Sequence, residues 1–327
     1  MERRAAAEGL SSATLPEARR PAAPRGLSDR SFRTILGVLA AALPLMEAVV
    51  LVELLQGSLP ALRTFGWHFL VGRTWDPVAE VFGALPFIIG TLLTSAVALV
   101  LAVPIAIGTA ILLVEYATGW VREGLGFLVE LLAAIPSIVY GLWGMVVVAP
   151  LMRAHVDPFI EASPLGWLPI FGRPLLGLSL LTAGVVLAIM ILPIVASVAR
   201  EALLMVPSEQ REAGLALGLT RWETTRRVLL PYARAGVFSA IILGLGRAMG
   251  ETMAVTMLVG NTPAVTLDLF QPGYSMSAVI ANEFSEATTT LHVSSLFGVG
   301  LLLFLLSLVV NSMARMLLRG LSHAGTR

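Results

Sequence analysis

The sequence predicts an all-α, polytopic membrane protein with six transmembrane helices. Composition, six long apolar runs and the placement of arginine carry that prediction. Of the 327 residues, 57% are hydrophobic and only 13% charged, with a mean hydropathy of +0.85. A soluble domain carries about 25% charged residues, so most of this apolar surface is there to face a lipid bilayer. The net charge of +1 gives no bulk attraction to nucleic acid. Every basic residue other than four histidines is arginine, and there is no cysteine. Disulfide and thiolate chemistry are thereby excluded, and the scattered histidines offer no metal site. Nothing in the chain calls for a cofactor.

Residues 1–33 hold seven arginines with alanine and proline and no apolar periodicity. They read as a disordered cytoplasmic tail, leaving 34–327 as the membrane domain. The run from Ile35 to about Gln56 is too long for a signal-peptide core and is expected to be a retained helix. Five more runs of the roughly 20 residues needed to span lie near 85–114, 127–152, 174–199, 236–259 and 292–314. Pro104, Pro136 and Pro193 predict kinks inside them, and Gly90, Gly108, Gly141 and Gly144 predict close helix contacts.

Arginine placement orients the spans. With the N-terminus inside, seventeen arginines fall in the tail, at Arg122, in the loop 200–235 and at the C-terminus. Only Arg63, Arg73, Arg153 and Arg173 fall in outer loops. That asymmetry predicts cytoplasmic termini and a cytoplasmic 200–235 loop. The outer segment 57–84 carries Trp67, Trp75, Asp76 and Pro77, read as interfacial anchoring. The outer segment 260–291 carries Asp268, Glu283 and Glu286.

The cytoplasmic loop reads as helix, tight turn, helix. Ser208 is the expected N-cap with Glu209 in the first turn, and Gly218 is the expected C-terminal stop. Thr220 and Glu223 form an S/T-x-x-E capping box for a second helix, expected to end by Pro231. Leu215, Leu217, Leu219 and Trp222 add more apolar surface than a solvated hairpin requires.

Two charges stand inside the fifth run. Arg247 is near its middle and Glu251 is four residues on, which predicts both on one helix face. Each charge at mid-bilayer costs on the order of 2.5–3.5 kcal/mol on insertion scales, so such residues face an interior or a water path. An ion pair that only holds the bundle together is the alternative, although Arg before Glu is the weaker order within a helix. A guanidinium matches an oxyanion bidentately and stays charged. A carboxylate beside it favours an anion that still carries a proton, as phosphate does and sulfate does not. Glu251 is thus either a discriminator or a gating charge that pairs with Arg247 when the path is empty.

Glu212, Ala213, Gly218, Val228, Leu230 and Pro231 resemble the E-A-A-x3-G-x9-I-x-L-P loop of ABC importer permeases, with Gly214 and Val228 as mild departures. The segment from Gly246 through Arg247 and Glu251 to Thr256 resembles the fifth-helix signature of PstC-type permease subunits of bacterial phosphate importers. Trp75–Pro77, Gly83–Pro86, Leu131–Gly141 and Ala281–Phe284 are similar to the same family, from about residue 35 onward. Met253-Ala254-Val255 favours it over the sister PstA type.

The resemblance implies a type I ABC importer permease fold in the bacterial inner membrane, with Arg247 and Glu251 in the substrate path and the loop as the coupling element for an ATPase. It implies a PstA-like second permease, two PstB-like ATPase subunits and a PstS-like extracytoplasmic phosphate-binding protein. The chain has no G-x4-G-K-[ST] and, lacking lysine, can have none, so ATP hydrolysis belongs to a partner and no catalytic residue is expected here. A molybdate or sulfate permease, a proton-coupled carrier using Glu251, and an added role in phosphate sensing are the other readings.

Overall fold

The computed structural model describes residues 29–172 and 177–323. Most of the arginine-rich tail, Arg173 and the last four residues lie outside the described residues. From Asp29 the chain is already helical, so helix replaces the end of the predicted tail.

Among the described residues, six helical segments are long and apolar enough to cross a membrane: Ser31–Phe65, Leu85–Tyr116, Ser137–Ala162, Leu180–Leu204, Arg221–Met249 and Thr290–Leu317. The protein is a six-span, all-α membrane protein. Its contacts divide it into one unit ending at Val50 and another beginning at Leu51. In the first unit, residues 31–50 are helical and exposed.

Helix α1 (Asp29–Phe65) runs well beyond the apolar stretch that announced it. A short antiparallel hairpin follows, β1 (Trp75–Asp76) against β2 (Val81–Phe82). Helix α2 (Leu85–Ile111) starts with Pro86 in its first turn, where a missing N–H costs nothing. Its buried face carries Ala98, Ala102, Ala106 and Ala110, four residues apart and fully buried. Small residues at that spacing let two backbones approach closely. The helix they meet is α5 (Leu180–Leu204), which supplies Val186, Leu187, Ile191 and Val195 to the two main cores.

Between them the third run is not one helix. Helix α3 (Gly119–Ala134) ends at Ile135, and α4 (Ser137–Trp143) begins a new segment that reaches Ala162 through two π-turns. Proline pushes its predecessor out of the helical region, and Ile135 accordingly sits at ψ 128°. The Tyr140 hydroxyl donates to the Leu132 carbonyl at 2.8 Å and satisfies a group the break would orphan. Pro136 therefore separates two helices rather than kinking one.

Helix α6 (Ser208–Ala216) starts at Ser208 itself. Pro207 is the preceding residue, with ψ 143°, and no side chain caps the end, which corrects the expected Ser208 cap. The predicted stop before Pro231 is also corrected. The chain runs helically from Arg221 into α7 (Leu230–Met249), because Thr225–Leu229 forms a π-turn. Its wider ring closes from the Leu230 N–H to the Thr225 carbonyl, so the missing N–H of Pro231 and its bulky ring are absorbed.

The fifth run breaks in its turn. Helix α7 stops at Met249 and α8 (Met253–Leu258) begins after Gly250, Glu251 and Thr252. Helices α9 (Met276–Glu283) and α10 (Thr290–His323) complete the chain. Of the glycines expected at helix contacts, Gly141 lies against Ala254 and Met257 and Gly144 against Leu258 and Val186, while Gly90 meets the Tyr274 carbonyl. Gly108 faces open space, so its small size serves no contact among the described residues.

Candidate functional site

The break after Met249 sets the geometry of the charged pair. Arg247 sits in the last turn of α7 and Glu251 lies one residue beyond the helix cap, so they do not share a continuous helix. They nevertheless meet: an Arg247 guanidinium nitrogen is 3.2 Å from Glu251 Oε2. Glu251 Oε1 also accepts the Ala254 N–H at 3.4 Å, at the amino end of α8 where a negative charge is favoured. The two partners differ sharply in exposure. The Glu251 side chain is 3% exposed and that of Arg247 49%. Leu243, Gly246, Gly250 and Met253 are exposed with it. Gly246 precedes Arg247 and Gly250 caps its helix, so neither of these positions carries a side chain. Arg247 is a half-exposed cation paired on one side with a buried carboxylate.

The 200–235 loop is built as two elements around one turn. Gly218 has φ +82°, the left-handed region where a side chain is costly. Its N–H donates to the Leu215 carbonyl at 2.9 Å, and the Leu219 N–H to the Gly214 carbonyl at 3.2 Å. This pair of bonds closes the last turn of α6 as a Schellman motif. Thr220 and Glu223 make the reciprocal capping box that opens the next helix. Glu212, Ala213, Gly218 and Pro231 are exposed, while Leu230 is partly buried. Leu217 is 83% exposed and Trp222 54%, which leaves apolar surface for another protein to cover.

Gly214 has a packing reason as well. A methyl there would press on Thr224 across the hairpin, which explains glycine where the loop motif has alanine. The hairpin is tied to the membrane helices by a residue the sequence reading passed over. Arg211 reaches Glu115 at 2.6 Å through one terminal nitrogen and at 3.2–3.3 Å through Nε. The Glu115 side chain is 8% exposed. A lone carboxylate closing the apolar run Ile111–Val114, opposite an arginine-rich loop, was a usable signal for this pair.

A third cluster lies at the hairpin. Trp75 is buried rather than interfacial, stacked edge-on against Phe82 and Phe87. Its indole N–H donates to Glu283 Oε2 at 2.8 Å, and His292 Nε2 lies 3.0 Å from the same oxygen. Nearby, the Tyr274 hydroxyl accepts from Asn282, and burial pushes its pKa up to about 12.

A family model described as "Binding-protein-dependent transport system inner membrane component" matches residues 102–323. The phosphate transport system permease protein PstC of Mesorhizobium japonicum is 44% identical over 296 residues, covering 89% of this chain and 90% of that protein. PstC of Pasteurella multocida is 46% identical over 279 residues, covering 84% and 86%. The chain belongs to the PstC family of binding-protein-dependent permeases. Among solved structures, an inward-facing MetNI methionine ABC transporter chain matches with a TM-score of 0.54 at 19% identity, covering 76% of this chain and 99% of that one. That likeness shows the ABC importer permease fold.

The PstC-like segments of the sequence meet in space. Trp75–Pro77 and Ala281–Phe284 join through the Trp75–Glu283 bond. Leu131–Gly141 reaches the 246–256 segment through the Gly141–Ala254 contact.

Proposed function

We propose that this PstC-family chain is a membrane-path subunit of an ATP-driven phosphate importer, with Arg247 and Glu251 lining the route. The observation that carries the reading is the half-exposed Arg247 paired to buried Glu251 at a break in a membrane helix. Broken helices occur at membrane depth where they line a cavity or a protein interface. The guanidinium supplies bidentate donors for phosphate, and Glu251 either accepts a proton shared by phosphate or holds Arg247 when the route is empty. A PstA-like subunit would complete the route. Of two PstB-like ATPases, one would dock at Glu212–Pro231 and the other on the PstA-like subunit, and a PstS-like protein would deliver phosphate.

The test is uptake by proteoliposomes containing the assembled complex and the loaded binding protein. Phosphate accumulation should require ATP inside the vesicle and should ignore a proton gradient. Uptake driven by the gradient alone, or of sulfate or molybdate in place of phosphate, would overturn the reading.

In this reading the permease domain is 34–327, with both termini and the coupling hairpin on the cytoplasmic side. Val78 is 96% exposed and Trp222 54%, so each can carry a reporter thiol. With no native cysteine to interfere, Trp222→Cys should react with impermeant thiol reagents only from the cytoplasmic side. Val78→Cys should react only from outside. The opposite pattern would reverse the orientation.

A further inference from the structure

The bend that carries Glu251 is held in place from another helix. Ser277, the second residue of α9 and only 6% exposed, donates its hydroxyl proton to the backbone carbonyl of Glu251 at 2.7 Å. That carbonyl lies in the break between α7 and α8. Among the described residues, this is the hydrogen bond that reaches Gly250–Thr252 from outside α7 and α8. The same hydroxyl lies 3.3 Å from Ser275 Oγ. Its own proton is committed to Glu251, so there it acts as the acceptor. Ser275 in turn caps α9 by accepting the Ala278 N–H at 3.2 Å.

Helix α9 is itself fixed at that end. The Met276 N–H donates to Thr91 Oγ1 on α2 at 2.9 Å, and that hydroxyl donates to the Phe87 carbonyl at 2.8 Å. Glu251 is thus gripped twice. Its backbone is held through Ser277 to α9 and α2, and its carboxylate is held by Arg247 and the Ala254 N–H. The first grip decides where the second can form. If the carbonyl is released, the break is free to turn, and the carboxylate moves with it relative to the guanidinium.

We infer that Ser277 is a positioning residue for substrate passage, holding the Glu251 main chain so that its carboxylate stays in register with Arg247. The inference rests on the assignment of Arg247 and Glu251 to the phosphate route. Ser277 touches neither the guanidinium nor, in this reading, the anion. Its effect on transport runs through Glu251.

The experiment measures ATP-driven phosphate uptake per assembled complex in proteoliposomes, with loaded binding protein titrated outside. Ser277→Ala should lower maximal uptake about tenfold, the scale of one buried hydrogen bond. The concentration of binding protein giving half-maximal uptake should not move, because docking is untouched. Ser277→Thr, which keeps the hydroxyl, should restore uptake. In a Glu251→Gln background, where no carboxylate is left to position, Ser277→Ala should add little. Wild-type uptake in Ser277→Ala would overturn the inference and leave the phosphate reading standing. So would an equal loss in Ser277→Thr, or a full tenfold additional loss in the Glu251→Gln background. A wild-type complex that moves no phosphate would overturn the phosphate reading and this inference together.

Discussion

Replacing Arg247 with Gln is expected to reduce phosphate uptake on the order of 100-fold or more, to background. A bidentate, charge-assisted contact is among the stronger interactions a side chain makes, and glutamine cannot supply the charge. Arg247→Lys keeps the charge but loses the planar fork, so uptake should still fall substantially. Glu251→Gln should cost less, since the amide keeps a carbonyl acceptor for the Ala254 N–H. Arg247→Gln alone leaves a 3%-exposed carboxylate without its cation, which is destabilising whatever the role of the pair. The double variant Arg247→Gln/Glu251→Gln removes that complication. It should insert and assemble normally and remain inactive. Uptake restored in the double variant would show that the two charges only neutralise each other, and the assignment of Arg247 to the route would fail. Assembly measured by co-purification of the ATPase subunits separates the two effects.

Gly218→Val should uncouple the complex. Nothing lies within 4 Å of where a side chain would project, so the substitution meets no steric obstacle. The penalty comes from holding a β-branched residue at φ +82°, about 1–3 kcal/mol. The turn would relax by opening the Schellman bonds to Leu215 and Gly214, shifting Leu217 and Trp222 out of their present relation. ATPase activity stimulated by the binding protein should fall about tenfold, with insertion of the permease unchanged. Gly218→Asn should fall less, because asparagine visits the left-handed region more readily. Undiminished stimulation in the valine variant would count against docking through this turn.

The elements legible in the sequence were those defined by local chemistry. Six apolar runs gave six spans, and Gly218 and the Thr220–Glu223 box gave a turn whose hydrogen bonds follow the expected pattern. Helix interruptions were misjudged where a π-turn or a distant element rearranged the backbone hydrogen bonds. Pro231 looked like a stop, yet a π-turn carries the helix through it. Arg247 and Glu251 looked like one face of a continuous helix. The helix ends between them, and the Glu251 carbonyl finds its donor 26 residues away in Ser277. Trp75 looked interfacial because its acceptor, Glu283, is 208 residues distant. No periodicity or spacing announces bonds of that range. The lone Glu115 was the one such partner that left a local trace, as a charge at the end of an apolar run.

Helix α9 joins two of these distant clusters. One end holds the Glu251 carbonyl through Ser277, and the other holds Trp75 and His292 through Glu283. Eight residues at 1.5 Å each make a rod of about 12 Å, barely two turns. Such a rod is too short to flex appreciably, so its ends rotate together. A spin label or fluorophore at exposed Ala281 would therefore act as a remote goniometer for the bend. It would report the tilt of the backbone at Glu251 during turnover without placing a foreign atom near the arginine.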